Sequence, residues 1–284
     1  MVIERLSHAV MREAVHRALS EDVGPLDLTT RAIVDPERRG RARIFSKEAG
    51  VVCGVDVARE VFHQVDAALE VRAVRVDGQL IEPGVQVLEV AGRCAAMLTA
   101  ERCALNFLQH LSGIATQTRA YVERIEGTQA RILDTRKTVP GLRALQKYAV
   151  VCGGGVNHRM GLYDAFMIKD NHVALMSGSG GFAEAVAAAR AIDPDADLIV
   201  EADHLEQVEI FMELGVDRIL LDNMTLEEMK LAVKRVAGRV RLEASGNMTL
   251  ERVRDVAETG VDFISVGALT HSVRALDFSL EWME

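Results

Sequence analysis

From about residue 130 onward, short apolar runs alternate with amphipathic stretches of 3.6-residue periodicity, and that alternation leaves few folds open to the chain. The strand cores read as Arg131 to Asp134, Ala165 to Lys169, Leu198 to Glu201, Arg218 to Asp222, Arg241 to Ala244 and Phe263 to Val266. Strands joined through helices run parallel, and near-continuous apolar runs imply a sheet covered on both faces. The clearest helix follows Asp222. Thr225 and Glu228 form a capping box, and Leu226, Met229, Val233 and Val236 share one face. Helices after Glu201 (Leu205, Val208, Met212) and after Gly246 (Leu250, Val253, Val256) repeat the plan, with Gly215 and Gly260 at helix ends.

A barrel and a doubly wound sheet both satisfy such a repeat. In a barrel every βα loop converges on one face, whereas a doubly wound sheet gathers only the loops at its switch point. Asp134, Lys169, Glu201, Asp222, Ser245 and Gly267 all stand where a strand hands over to a helix, which favours the barrel. Six visible units make it an incomplete one. From Gly40 to Val90, short β-rich runs (Ala42 to Phe45, Leu69 to Val76, Gln86 to Val90) are broken by Gly50, Gly54, Gly78 and Gly84, which reads as a separate α+β domain. A helical run opening at Thr99 is interrupted at Gly113. The boundary is set there, giving domains 1–112 and 113–284, with the last residues free to pack back on the first. The Glu37 to Arg43 run reads as a solvated strand edge.

The 284 residues carry a net charge of −9, which argues against a nucleic-acid partner and leaves small anions open. Cys53, Cys94, Cys103 and Cys152 are scattered without CxxC spacing, so neither a zinc site nor a disulfide framework is indicated and a reducing, cytoplasmic setting is expected. Met1 to His8 does not resemble a signal peptide, and no apolar run is long enough to span a bilayer.

Against this acidic balance, Arg136, Lys137, His158, Arg159 and Lys169 cluster in sequence around a triple glycine and two strand ends. A polyanionic ligand supplies a reason for them. Glu201 and Asp222 end successive strands, as in sites that hold Mg²⁺ through one or two carboxylates and water, although either residue alone could merely cap a helix. Ser245-Gly246-Asn247 and Val266-Gly267-Ala268 read as small-residue turns from strand into helix, a setting that suits a phosphate. Cys152 reads as a small buried hydrophobe, and His172, His204 and His271 as structural or capping residues. Glycine-rich Ser177 to Gly181 is a candidate closing loop.

These segments strongly resemble the quinolinate phosphoribosyltransferase family. The resemblance rests on DTRKT at Asp134 to Thr138, CGGGVNHRMGLYDAFMIKDNH at Cys152 to His172, Glu201, LLDNM, EASGN, ISVGALTHS, EDVGPLDLTT at Glu21 to Thr30 and the helix bearing Glu101 to Asn106. It covers nearly the whole chain. It implies an N-terminal α/β open-faced sandwich plus an incomplete (β/α) TIM-like barrel, assembled as a homodimer or an oligomer of dimers. It further implies Mg²⁺-dependent transfer from phosphoribosyl pyrophosphate to quinolinate with decarboxylation. Arg102 from a second subunit, Arg136, His158, Arg159 and Lys169 would surround the two carboxylates of quinolinate, with Thr135 among the substrate-binding residues. Lys137 would face pyrophosphate, Glu201 and Asp222 the ribose and metal, possibly through water, and the turns at Ser245, Gly246, Asn247 and at Val266, Gly267, Ala268 the 5-phosphate. Asn247 departs from the family's common glycine, but asparagine tolerates positive φ. Rival readings are a molybdate-transport-associated homologue, a barrel aldolase using Lys169, and a non-catalytic phosphoribosyl pyrophosphate sensor.

Overall fold

The computed structural model describes residues 6–176 and 181–283, so all but Gly181 of the candidate closing loop lies outside the described residues. Twelve strands are present among them: β1 (Arg39–Ser46), β2 (Gly50–Val51), β3 (Glu70–Ala73), β4 (Leu80–Ile81), β5 (Gln86–Arg93), β6 (Arg131–Leu133), β7 (Phe166–Ile168), β8 (Leu198–Ala202), β9 (Arg218–Asp222), β10 (Arg241–Ser245), β11 (Phe263–Ser265) and β12 (Phe278–Met283). The chain packs as two compact units. One comprises residues up to Arg119 with Thr138–Gly154 and Leu269 onward; the other comprises Ala120–Lys137 and Gly155–Ala268.

In the first unit, β12-β1-β5-β3 form an antiparallel sheet, and the helix Val55–Val65 packs against β3. Alternation sorts the faces of β1: Ala42 and Ile44 are fully buried, while Arg41 and Arg43 reach solvent. The expected strand edge at Glu37 to Arg43 is therefore wrong. β1 is internal, because β12 returns from the far end of the chain to pair with it. The charges serve cross-strand pairing instead: Glu281, Arg43, Glu89 and Arg72 stand in register across four strands. A second correction concerns Gly113, which does not interrupt its helix. The helix runs unbroken over Cys94–Arg124, and a Cβ on Gly113 would lie 2.2 Å from the Arg274 carbonyl oxygen. Glycine is there for close approach of backbone.

In the second unit all six strands are parallel, in the order β6-β11-β10-β9-β8-β7. From β7 to β11 they follow chain order, and the first strand joins beyond the last. A doubly wound sheet would reverse about a switch point. This cyclic order is that of a barrel, lacking a β6–β7 pairing among the described residues. Ile132, Leu198, Val200, Ile219, Leu221, Leu242, Ala244 and Ile264 form its buried strand layer. The helix Leu226–Val236 starts as its sequence predicts: Thr225 Oγ1 accepts from Glu228 N–H, and Glu228 Oε2 accepts from Thr225 N–H at 2.8 Å. Met229, Ala232 and Val236 are its buried stripe.

Candidate active site

Parallel strands in cyclic order bring their carboxyl ends to one rim, and Asp134, Lys169, Glu201, Asp222, Ser245 and Val266 stand at or just past those ends. Asp134 follows β6, is fully buried, and accepts the His158 backbone N–H at 2.8 Å. In the next loop the Thr135 hydroxyl accepts Lys137 N–H at 3.0 Å, a local turn that shapes the Arg136-Lys137 segment. Arg159 donates through Nη1 to the Ala165 carbonyl at 3.0 Å. Its guanidinium is held below its ordinary pKa first by burial and then by the charge of Arg136, with Asp164 opposing. The Arg136 charge thus reaches the Arg159 guanidinium.

An acidic set gathers at the ends of β8 and β9. Glu201, Asp203 and Asp222 each offer an oxygen, all within 4.8 Å of one another, an all-oxygen donor set suited to a hard divalent cation. Lys169, directly after β7, ion-pairs with Glu201. Asp203 was not anticipated, although its i+2 spacing from Glu201 is the signal for side chains on one side of an extended segment.

The loops after β9 and β10 are tied together. Asn223 (φ +53°) donates through Nδ2 to Asp222 Oδ2 at 2.8 Å, and its N–H donates to the Ser245 carbonyl at 3.0 Å. Gly246 has φ +103°, and a Cβ there would lie 2.1 Å from Asn223 Oδ1. Asn247 takes φ +43°, as its tolerance of the left-handed region allows. One expectation fails: the Ser245-Gly246-Asn247 turn does not lead directly into a helix, because the next helix begins only at Val253. Val266-Gly267-Ala268, by contrast, runs straight into the short helix Ala268–His271.

Beneath the rim lies a buried ionic cluster that sequence reasoning missed. Glu243, fully buried in β10, accepts from Arg218 Nη1 at 2.9 Å and from the Ser265 hydroxyl, and faces His158 Nε2 at 3.3 Å. Burial pushes its pKa up, but His158, Ser265 and Arg218 outweigh burial and hold it below its ordinary value. The available signal was a carboxylate inside an apolar strand of a sheet covered on both faces.

Other sequence-predicted residues fall as follows. Arg102 is exposed on the helix Cys94–Arg124 in the first unit. Cys152 is buried near Cys53 and Asp77, whose carboxylate accepts from Val55 N–H and the Tyr148 hydroxyl. His172 and His204 serve helix starts, and His271 Nδ1 lies 2.7 Å from Ser272 Oγ.

Comparison with known proteins adds a family to this geometry. Family models described as quinolinate phosphoribosyl transferase, N-terminal and C-terminal domain, match residues 27–112 and 114–281. The chain is 46% identical over 276 residues to nicotinate-nucleotide pyrophosphorylase [carboxylating] of Mycobacterium leprae, covering 95% of this chain and 96% of that one. It is 39% identical to the probable enzyme of that name from Bacillus subtilis, with 97% and 94% covered. Among solved structures it resembles NadC from Streptococcus pyogenes (TM-score 0.93, 42% identity, 99% and 100% covered). It also resembles the nicotinate-nucleotide pyrophosphorylase from Francisella tularensis (0.94, 38%, 100% and 99%).

Proposed function

We infer the activity from the family, for this chain belongs to the quinolinate phosphoribosyltransferases. It transfers the phosphoribosyl group of phosphoribosyl pyrophosphate to quinolinate with decarboxylation, giving nicotinate mononucleotide, carbon dioxide and pyrophosphate in NAD biosynthesis. The observation that best supports a site on the barrel rim is its charge: the ion pair of Lys169 with Glu201, and the oxygen set of Glu201, Asp203 and Asp222.

In this reading Arg136, Arg159 and Lys169, with Arg102 of a second subunit in a homodimer, hold the two carboxylates of quinolinate through charge-assisted contacts. Thr135 shapes the loop that presents them. The pyridine nitrogen attacks ribose C1 as the bond to pyrophosphate breaks, so positive charge gathers near C1. Glu201 and Asp222 hold the ribose and favour that charge, while Lys137 faces the leaving pyrophosphate. The attacking nitrogen carries a lone pair and no proton, so no general base is required. Mg²⁺ fits the oxygen set of Glu201, Asp203 and Asp222, directly or through water, and when bound supplies neutralisation of pyrophosphate charge. The 5-phosphate lies against the backbone N–H groups of Ser245, Gly246 and Asn247 and of Val266, Gly267 and Ala268.

Alkylation turns the ring into a pyridinium, whose positive charge stabilises the electron pair left on C2 as the 2-carboxylate leaves as carbon dioxide, and a proton from solvent then takes up that pair to give C2–H. The side chains need only grip the 3-carboxylate while this exchange takes place on C2. No helix among the described residues is long and apolar enough to cross a membrane, and the cytoplasm is the proposed compartment. Incubating the protein with quinolinate, phosphoribosyl pyrophosphate and Mg²⁺ tests the reading. Carbon dioxide and nicotinate mononucleotide should appear in equal amounts, and their absence from folded protein would overturn it.

A further inference from the structure

Arg159 is partly buried, so the fold must hold its guanidinium in place. The contacts of His158 show how. Its backbone N–H is fixed by Asp134 at 2.8 Å, and its Nδ1 accepts the Arg159 backbone N–H at 2.6 Å. With Nδ1 accepting, the ring proton is assigned to Nε2, which faces Glu243 Oε2 at 3.3 Å. Both ring nitrogens are therefore directed at protein groups, and the side chain is only 6% exposed. This geometry suits an internal bracket better than a contact to substrate. Glu243 is in turn immobilised from both neighbouring strands, by Arg218 on β9 and Ser265 on β11. The carboxylate thus takes two hydrogen bonds, from Arg218 and Ser265, and its charge stands 3.3 Å from His158 Nε2, which it orients electrostatically.

We propose that Glu243 is a positioning residue for quinolinate: from inside the sheet it orients the His158 imidazole, which holds the Arg159 backbone and so fixes where the Arg159 guanidinium stands. This rests on Arg136 and Arg159 gripping the dicarboxylate. It assigns His158 to the framework of the site and makes Glu243, a residue facing no ligand, a determinant of quinolinate affinity.

The test replaces the buried ion pair by apolar side chains together, as Glu243→Met with Arg218→Met, so that neither charge is stranded. Quinolinate KM should rise about tenfold or more while KM for phosphoribosyl pyrophosphate stays within about twofold. Glu243→Gln serves as the conservative rescue: with its carbonyl toward Arg218 and His158 and its amide toward the Ser265 hydroxyl, it should keep quinolinate KM within about threefold of the parent. Nitrogen NMR of the unsubstituted protein gives a readout independent of folding in the variants and of turnover. His158 should carry its proton on Nε2 and a bare Nδ1. An unchanged quinolinate KM in the double variant, an equal rise in both KM values, or a proton on Nδ1 would overturn the proposal. Loss of turnover in the unsubstituted protein would instead strike the catalytic reading beneath it, so the two failures are distinguishable.

Discussion

In the antiparallel sheet Arg43 and Glu281 pair across β1 and β12 in contact with solvent, while in the parallel sheet Arg218, Glu243 and His158 meet with almost no water between them. The same kinds of side chain make both arrangements. Water screens the first and replaces any partner that is lost. The second has no such substitute, so each member depends on the others being present and correctly turned. Charge on the outer sheet therefore tunes strand pairing, whereas charge inside the barrel can fix the geometry of a site.

The sharpest way to break this contrast is to remove one partner from each arrangement. Glu243→Ala strands Arg218 and should lower unfolding free energy by about 3–5 kcal/mol in urea titrations. Gly246→Ala comes next. Its Cβ would meet Asn223 Oδ1 in a left-handed backbone, for an expected loss of about 1–3 kcal/mol, with a raised KM for phosphoribosyl pyrophosphate if the turn holds phosphate. Arg43→Ala removes a pair that is 42% and 53% exposed, and should cost about 0.2–1 kcal/mol, most of it absent at high salt. A loss for Arg43→Ala equal to that for Glu243→Ala would erase the distinction.

Acid titration sharpens the same comparison. Because Glu243 sits below its ordinary value of 4.5 when folded, its ionised form contributes stability that is fully present above that value. The contribution is lost as pH falls from there through the depressed folded pKa. Glu243→Gln has no such limb. The stability difference between the parent and this variant should be flat near neutrality and shrink on acidification below pH 4.5, as followed by urea unfolding at a series of pH values.

How far the chain announced this structure depends on whether each signal is local. β9 was read at its observed limits, and the helix after it from Thr225 and Glu228, because apolar runs and capping boxes are short-range patterns. The internal place of β1 was not readable, since its partner β12 lies more than 200 residues away and pairing at that range leaves no nearby mark. Gly113 misled for a related reason: a glycine that breaks a helix and one that admits a neighbouring backbone look alike in sequence. In the site, strand-end residues such as Glu201 and Asp222 stood out by position. Glu243 did not, because its meaning comes from Arg218, Ser265 and His158, which only folding brings to it.

The central claim is that clustered guanidiniums on the barrel rim grip a pyridine dicarboxylate, and saturation kinetics of Arg136→Ala with quinolinate test it most directly. KM for quinolinate should rise by about tenfold or more, with Arg136→Lys intermediate because an ammonium cannot reproduce a forked contact. A quinolinate saturation curve in Arg136→Ala that superimposes on that of the unsubstituted enzyme would contradict the account.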